Sequence, residues 1–191
     1  MPLGLAIKNR NAVVVASDTA GGPIEHYGQM MAVSERAILL LVGNTEGVKA
    51  PILKILPRIK TESAPATIAQ LVQAELTVAV VPKLAEFKGR VEVVVAGLDP
   101  ISHTEEPSLY YMDSAQDFYL KLVTADAVAA GATAAVTALT AGHSYAESST
   151  DQLKVLAKEC MAATKLRWPN ALKNHVHMAL IARGGIQIQE Y

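Results

Sequence analysis

Two residues near the start of the chain, Pro2 and Asp18, are of types that could do chemistry. Once the initiator methionine is removed, Pro2 is a secondary amine that can act as a base or a nucleophile, provided that an apolar pocket favours its neutral form. Alternatively, Pro2 only begins an edge strand. Asp18 is either a site carboxylate or an acceptor for the amides of the loop that follows it. Its sequence neighbours Ser17, Thr19 and Gly22 are expected to line a pocket at this place.

The remaining nucleophilic and metal-binding residue types predict no second site. His175 and His177 share a face of a predicted strand, but no further ligands lie nearby in sequence. We interpret them as surface or interface histidines, with metal binding as the alternative. Cys160 is the only cysteine, which excludes a disulfide within the chain, and beside Met161 it is expected in the core. The sequence has no phosphate-binding loop, dinucleotide glycine pattern or serine nucleophile elbow, so no cofactor is predicted.

Composition narrows the class of protein. Of the 191 residues, 51% are hydrophobic and 18% are charged, and the net charge is −1. Such a chain is too apolar for disorder and too neutral for a nucleic-acid or anionic-membrane partner. Its length suits one domain, residues 1–191, and the lack of a signal-peptide pattern predicts a cytoplasmic location. The uncharged run 127–146 is rich in Ala, Thr and Gly, which favours a packed helix over a membrane span.

The elements that would position these residues follow from the apolar pattern. Strands are predicted at 3–8, 12–16, from about 30, 37–42, 91–97, 108–112, 118–123, 176–182 and 186–190. Helices are predicted at 45–60, 67–87, 127–141 and 150–166, with a polar loop at 98–107. Runs of strands alternating with pairs of helices do not fit a doubly wound sheet. They predict an α+β fold, a four-layer αββα sandwich in which two stacked antiparallel sheets are flanked by helix pairs.

Local signals refine the predicted helices. Pro51 and Pro57 are expected to bend or shorten the first helix, and Pro82 to kink the end of the second. Ser149 and Gln152 have the spacing of a capping box, which predicts where the fourth helix begins.

Four short sequence motifs occur along the chain in a fixed order. The first is the hairpin at 5–18, and the second is the pair 94–99 and 107–113, which contains Ala-Gly-x-Asp and then Pro-x-Leu-Tyr. The third is Ala-Ala-Gly-Ala at 129–132 before a predicted helix, and the fourth is the final pair of strands. In this order and spacing the chain resembles a proteasome core subunit of the β type, within the N-terminal-nucleophile hydrolase superfamily. The resemblance covers nearly the whole chain and implies the same αββα fold.

The resemblance also implies a set of catalytic positions. Active members of the family expose an N-terminal threonine that attacks the peptide carbonyl while its free amine takes the proton, with a lysine, a serine and two aspartates in support. In this chain the nucleophile position falls on Pro2 and the first aspartate on Asp18. The lysine position falls near Met30 and the serine position on Ala130. The second aspartate has no counterpart, because no Asp follows Asp151.

Four of the five catalytic roles are therefore unfilled. No Lys or Arg lies between Arg10 and Arg36, and neither Ser17 nor Thr19 can become N-terminal without loss of the first strand. We expect no leader peptide before that strand. The favoured hypothesis is a proteasome-like subunit that has lost threonine-protease activity and serves as a structural or compartment-forming component.

Self-assembly and two alternatives complete the prediction. A chain this poor in charge is expected to bury helix surface such as residues 78–84 against neighbours. This predicts a homo-oligomer, with a ring implied by the resemblance and a catalytic partner subunit as a further option. One alternative is a divergent N-terminal-nucleophile hydrolase of the threonine-type endopeptidase lineage, or a pocket enzyme that uses Pro2 and Asp18. The other is a ligand-binding domain with its pocket between the sheets.

Overall fold

A computed structural model describes residues 3–18, 30–86, 89–101, 104–131, 140, 143–167 and 176–190. The described strands are, in chain order, β1 (Gly4–Lys8), β2 (Val13–Asp18), β3 (Met30–Ala32), β4 (Ala37–Gly43), β5 (Val91–Ile101), β6 (Thr104–Asp113), β7 (Lys121–Leu122), β8 (Ala127–Ala130), β9 (Val176–Ala182) and β10 (Gly185–Glu190). The described helices are α1 (Glu46–Ile55), α2 (Pro65–Ala79) and α3 (Thr150–Arg167), with 3-10 turns at Leu56–Arg58, Val81–Glu86 and Ser114–Gln116.

The strands form two antiparallel sheets, and this part of the predicted α+β fold is confirmed. The first sheet has the order β10-β9-β2-β1-β8, and the second has the order β3-β4-β5-β6-β7. In the first sheet, the β1–β2 hairpin pairs Gly4 with Ser17 and Lys8 with Val13. Asn9 fixes the turn of this hairpin, because its Oδ1 accepts hydrogen bonds of 2.8 Å from two backbone N–H groups.

Three apolar clusters hold the described elements together. Leu40 and Val13 belong to a cluster between the two sheets. The neighbouring Leu39 points the other way and packs with residues of α1 and α2, while Val14 packs with residues of α3. Both faces of the central strands are therefore buried, which explains why their sequences are continuous apolar runs.

The predicted polar loop at 98–107 is wrong. β5 continues to Ile101 and β6 begins at Thr104, and the two strands pair along this whole stretch, with Leu98 opposite Pro107. The polar residues here either face outwards or find partners within the fold, as Asp99 does with α2. A long paired hairpin therefore satisfies a stretch whose composition is typical of a loop.

The predicted helix at 127–141 is also wrong at its start. Ala127–Ala130 forms β8, which pairs with β1 so that Ala127 lies opposite Ile7 and Ala130 opposite Gly4. Alanine has the highest intrinsic helix propensity, but such propensities are small, and the open edge of β1 supplies pairing that outweighs them. Gly131 follows with φ of +65°, and residues 132–139 and 141–142 lie outside the described part of the chain.

The predicted shortening of the first helix and the predicted start of the fourth are confirmed, whereas the second helix ends at Ala79, before Pro82, instead of being kinked there. α1 contains Pro51 and gives way to a 3-10 turn that contains Pro57, and α2 ends before a 3-10 turn that contains Pro82. At the start of α3, Ser149 N–H donates to Gln152 Oε1 at 2.7 Å and Gln152 N–H donates to Ser149 Oγ at 3.2 Å, which is a capping box. Within the described residues, no helix is both long and apolar enough to cross a bilayer.

Candidate functional site

Three of the predicted site residues that the structure describes meet where β1 begins. Register places Gly4 of β1 opposite Ser17 on one side and opposite Ala130 on the other. Asp18, the last residue of β2, accepts a hydrogen bond of 2.9 Å on Oδ1 from the N–H of Leu3, and its own N–H donates to Leu3 O at 3.2 Å. The hairpin and β8 thus bring together Ser17, Asp18 and Ala130 at one end of the first sheet.

Asp18 is the only one of these three residues with an acidic side chain, and it is 1% exposed. Burial raises the pKa of its carboxyl from 3.8 to about 6, although the hydrogen bond from Leu3 N–H acts in the opposite direction. Ser17 is also buried, and its Oγ donates to the carbonyl oxygen of Asp18 at 3.1 Å. The geometry makes Asp18 a partner of the β1 backbone, with a pKa in the range of a general acid or base.

The raised pKa predicts how stability depends on pH. Because folded Asp18 holds its proton more tightly than the unfolded chain does, the free energy of unfolding should fall as pH rises from about 4 to about 6, by up to about 3 kcal/mol at roughly 1.4 kcal/mol per pKa unit. Asp18→Asn removes this titration while keeping an acceptor for Leu3 N–H. Denaturation across that pH range should show wild type losing stability relative to Asp18→Asn.

Asp151→Asn is the matched control, because the Asp151 side chain is 89% exposed in the first turn of α3. The difference in unfolding free energy between Asp151→Asn and wild type should change little over the same pH range. If wild type and Asp18→Asn keep a constant difference in unfolding free energy from pH 4 to pH 6, burial does not govern the titration of Asp18.

The space beside the start of β1 is filled by apolar side chains of the second sheet. A Cβ added to Gly4 would lie 2.5 Å from Leu40 Cδ2 and 2.8 Å from Val42 Cγ2. Met30, at the position where the resemblance expects a lysine, lies opposite Leu40 in β3. Its thioether carries no charge, and the methyl group of Ala130 replaces a hydroxyl, so neither residue can move a proton.

Several predicted positions lie outside the described residues, namely Pro2, Thr19, Gly22 and His175. His177 lies in β9 opposite Ser17 and is half-buried. Over the ranges that the structure describes, no three His, Cys, Asp or Glu side chains are placed to hold a metal ion. Cys160 lies in the core with α3, as predicted, and burial raises the pKa of its thiol to about 11. It is therefore a protonated core residue and a poor nucleophile.

A cluster of charged residues that sequence reasoning missed lies at the same end of the fold. Glu92 is buried in β5, and its Oε2 accepts a hydrogen bond of 2.6 Å from the N–H of Gly131, directly after β8. Its Oε1 accepts from the hydroxyl of Tyr111 and lies 3.2 Å from Arg90 Nη2. The cluster joins the second sheet to the turn after β8. The sequence did contain one indication of this cluster, a single Glu inside the apolar run Val-Glu-Val-Val-Val, because a glutamate is rarely buried without a partner.

Arg90 and Asp113 complete this cluster. Arg90 Nε donates to Asp113 Oδ1 at 3.0 Å, and Arg90 Nη2 donates to Oδ2 at 2.5 Å, so the pair is bidentate. Burial alone would raise the pKa of Asp113, but the bonds from Arg90 lower it below its ordinary value. Burial and the bond to Glu92 raise the pKa of the Tyr111 hydroxyl, which therefore stays protonated as a donor. These groups are engaged with one another, which favours a structural role.

The central motif of the resemblance attaches α2 to the second sheet. Asp99 Oδ1 accepts a hydrogen bond of 2.9 Å from the N–H of Ala66, in the first turn of α2, and Asp99 Oδ2 accepts one of 2.6 Å from the Tyr110 hydroxyl. The residue that precedes the helix, Ala64, has no side-chain acceptor, so Asp99 caps α2 from a strand. The backbone at Gly97 lies against Arg36. These residues explain the motif as a fold determinant.

Two adjoining polar clefts lie at the opposite end of the sheets. One, of about 380 Å³, is lined by Arg36, Glu105 and Arg183 among others. The second, of about 430 Å³, shares Glu105 and Arg183 and adds Lys8 and Asp126. Arg36 and Glu105 form an ion pair of 3.2 Å. The clefts mix positive and negative groups and lie away from Asp18, so they do not enlarge the predicted site.

Comparison with known proteins assigns no family to this chain. No family model matches it, and no curated protein is significantly similar to it. A function for this chain therefore has to be inferred from the residues and contacts described above.

Proposed function

We propose that the protein is a proteasome-like, self-assembling subunit that has lost threonine-protease activity and acts in the cytoplasm as a structural or compartment-forming component. The proposal includes the full four-layer αββα arrangement, in which a second helix beside α3 completes the outer pair on the first sheet. It also includes a homo-oligomer, with a ring as the expected form and a catalytic partner subunit as an option. The resemblance of the sequence to proteasome β subunits supports all three parts.

The residues at the start of β1, where the resemblance places the catalytic groups, are the main support for a loss of activity. The first residue of β1, Gly4, lies so close to Leu40 and Val42 that a side chain there would collide with them. The lysine and serine positions hold Met30 and Ala130, which cannot activate an amine. Asp18 Oδ1 already accepts a hydrogen bond from the N–H of Leu3. A threonine-type mechanism would therefore lack the lysine and the serine that support the terminal amine.

Exposed apolar side chains on the helices support self-assembly. Val78, near the end of α2, is 76% exposed, and Leu166, near the end of α3, is 85% exposed. Val155 is a further exposed residue on α3, eleven positions before Leu166 and so on the same side of the helix. Large apolar side chains in water are expected to gain from burial against a neighbouring subunit.

One observation favours the alternative of a residual hydrolase. A carboxyl group with a pKa of about 6 is protonated and deprotonated near neutral pH, as a general acid or base requires. In that alternative, Pro2 as a terminal amine is the nucleophile or base and Asp18 is its partner. The alternative requires the initiator methionine to be absent, which an intact mass reports directly.

Native mass spectrometry and a panel of fluorogenic peptides test the two functions together. We expect wild type to form assemblies larger than a dimer and to release no fluorophore above the rate in buffer, because the proton-transfer groups are missing. Asp18→Asn should then leave both results unchanged. Assembly without turnover supports the proposal.

Turnover that Asp18→Asn abolishes would contradict the proposal and favour the hydrolase. Asp151→Asn, which changes the same functional group at an exposed position, must retain that turnover for the assignment to hold. A wild type that remains monomeric would contradict the assembly part of the proposal, whatever the peptides show.

A further inference from the structure

The two polar clefts lie where the hairpin turns of both sheets come together. The first sheet contributes Lys8, at the end of β1, and Arg183, in the turn between β9 and β10. The second sheet contributes Arg36, directly before β4, and Glu105, near the start of β6. Lys8 Nζ donates to the carbonyl oxygen of Pro107 in β6 at 3.4 Å, so it bridges the two sheets. The clefts therefore open between the sheets, at the end opposite to the start of β1.

Opposite charges line the clefts in equal number. Among the residues that the structure describes, four of those that line the two clefts are basic and four are acidic. A ligand with a single kind of charge would be attracted by half of these groups and repelled by the other half. A ligand that carries both a positive and a negative group can place each one beside its opposite. The charges of the clefts therefore favour a zwitterion over a simple anion or cation.

Arg183 and Glu105 are the two charged residues that both clefts share. Arg183 is exposed, and within the described part of the chain its guanidinium forms no hydrogen bond or ion pair. Glu105 uses Oε1 for its ion pair with Arg36, at 3.2 Å, and the Glu105 side chain is 27% exposed. The first sheet thus brings a positive group, and the second sheet a negative one, to the same space without pairing them to each other.

We propose that the clefts bind a small zwitterion of the amino-acid class, a free amino acid or a short peptide, with its carboxylate on Arg183 and its ammonium group on Glu105. The guanidinium of an arginine is a planar fork of N–H donors that holds a carboxylate through two parallel hydrogen bonds. An ammonium group offers three N–H donors to a carboxylate such as that of Glu105. The bound ligand then connects the turn of the first sheet to β6 of the second.

The size and lining of the clefts fit this class of ligand. Their volumes, about 380 and 430 Å³, lie within the range of about 300–1,000 Å³ of small-molecule sites. Such sites are usually lined by apolar side chains, whereas charged residues dominate here and large apolar ones such as Leu98 are few. A ligand in these clefts is therefore recognised by its charged ends and gains little from a large apolar side chain.

The first test compares zwitterions with their derivatives on the wild-type protein. Saturation-transfer NMR with glycine and with triglycine measures binding whatever the state of assembly. The amide of each probe lacks the carboxylate and its N-acetyl form lacks the ammonium group, so each derivative should bind at least about tenfold more weakly than its parent. Binding of glycine alone identifies a free amino acid as the ligand, and binding of triglycine alone identifies a peptide. Failure of both to bind, equal binding of a derivative, or tighter binding of inorganic phosphate overturns the proposal.

The second test assigns each end of the ligand to its residue, and its outcome depends on neither self-assembly nor the loss of catalysis. Arg183→Gln should weaken binding of the parent zwitterion at least about tenfold and leave binding of its amide unchanged. Glu105→Gln should weaken binding of the parent and leave binding of the N-acetyl derivative unchanged.

Arg58→Gln is the matched control, because Arg58 is 59% exposed in the 3-10 turn after α1 and does not line either cleft. It should bind the parent zwitterion and both derivatives as wild type does. An Arg183→Gln or Glu105→Gln protein that binds the parent as tightly as wild type contradicts the proposal. So does a variant that loses the parent and its matched derivative to the same extent.

Discussion

Gly97→Ala is expected to lower the free energy of unfolding by about 3 kcal/mol, the upper end of the usual range of about 1–3 kcal/mol for substitutions that force the backbone to shift. A Cβ at this position would lie 2.0 Å from the carbonyl oxygen of Arg36 and 2.7 Å from Pro65 Cγ. The first of these is a backbone atom of the neighbouring β4 region, so it cannot move aside as a side chain can. Chemical denaturation monitored by circular dichroism measures the loss.

Gly184→Ala is the matched control for this substitution. No heavy atom lies within 4 Å of the Cβ that it would add, so the change should stay within about 0.5 kcal/mol of wild type. Comparable midpoints for Gly97→Ala and Gly184→Ala would show that β4 and α2 approach Gly97 less closely than the structure indicates.

Gly97 also shows why a sequence motif need not indicate a catalytic site. The residues that carry the central part of the resemblance are explained here by packing: Gly97 admits β4 and α2, and Asp99 caps α2 with help from Tyr110. Such requirements follow from the fold and persist whether or not a nucleophile is present. A resemblance built on them predicts architecture better than activity.

Local signals in the sequence predict local structure well. The Ser149 and Gln152 spacing predicted the start of α3, and Asn9 stood in the predicted turn between β1 and β2. Both depend on side chains that bond to backbone within three residues. Continuous apolar runs likewise predicted the central strands, because those strands are buried on both faces.

Pairing between distant segments could not be predicted in the same way. The alanines of β8 favour a helix when considered alone, and only the open edge of β1, more than 100 residues earlier in the chain, makes them a strand. The outer half of the β5–β6 hairpin contains polar residues typical of a loop, and its pairing partner decides the outcome. In both cases a tertiary contact outweighs a local preference.

The sequence was enough to predict the acidic residue of the site, but not the groups that surround it. Asp18 could be named from the opening hairpin, but its burial and its bond to Leu3 N–H are properties of the fold. Glu92 was missed because a single charged residue in a β-branched run gives no indication of its partners. Those partners, Gly131 and Tyr111, come from other strands.

Glu92→Ala is therefore expected to lower the free energy of unfolding by about 2–5 kcal/mol, because each buried donor that loses its acceptor costs about 1–3 kcal/mol. It leaves the buried N–H of Gly131 and the hydroxyl of Tyr111 without their acceptor and leaves Arg90 with one carboxylate fewer. Urea denaturation measures the loss, and hydrogen exchange at the Gly131 amide should become faster at the same time.

Glu147→Ala provides the comparison, because Glu147 also pairs with an arginine, Arg10, but both side chains are largely exposed. Its cost should be below about 1 kcal/mol, since water screens an exposed pair and solvates the arginine when the pair is lost. The difference between the two free-energy losses measures what the buried hydrogen bonds of Glu92 add to a Glu–Arg contact. Equal costs would mean that Glu92 does not join the second sheet to the turn after β8, and unchanged exchange at Gly131 would locate its partner elsewhere.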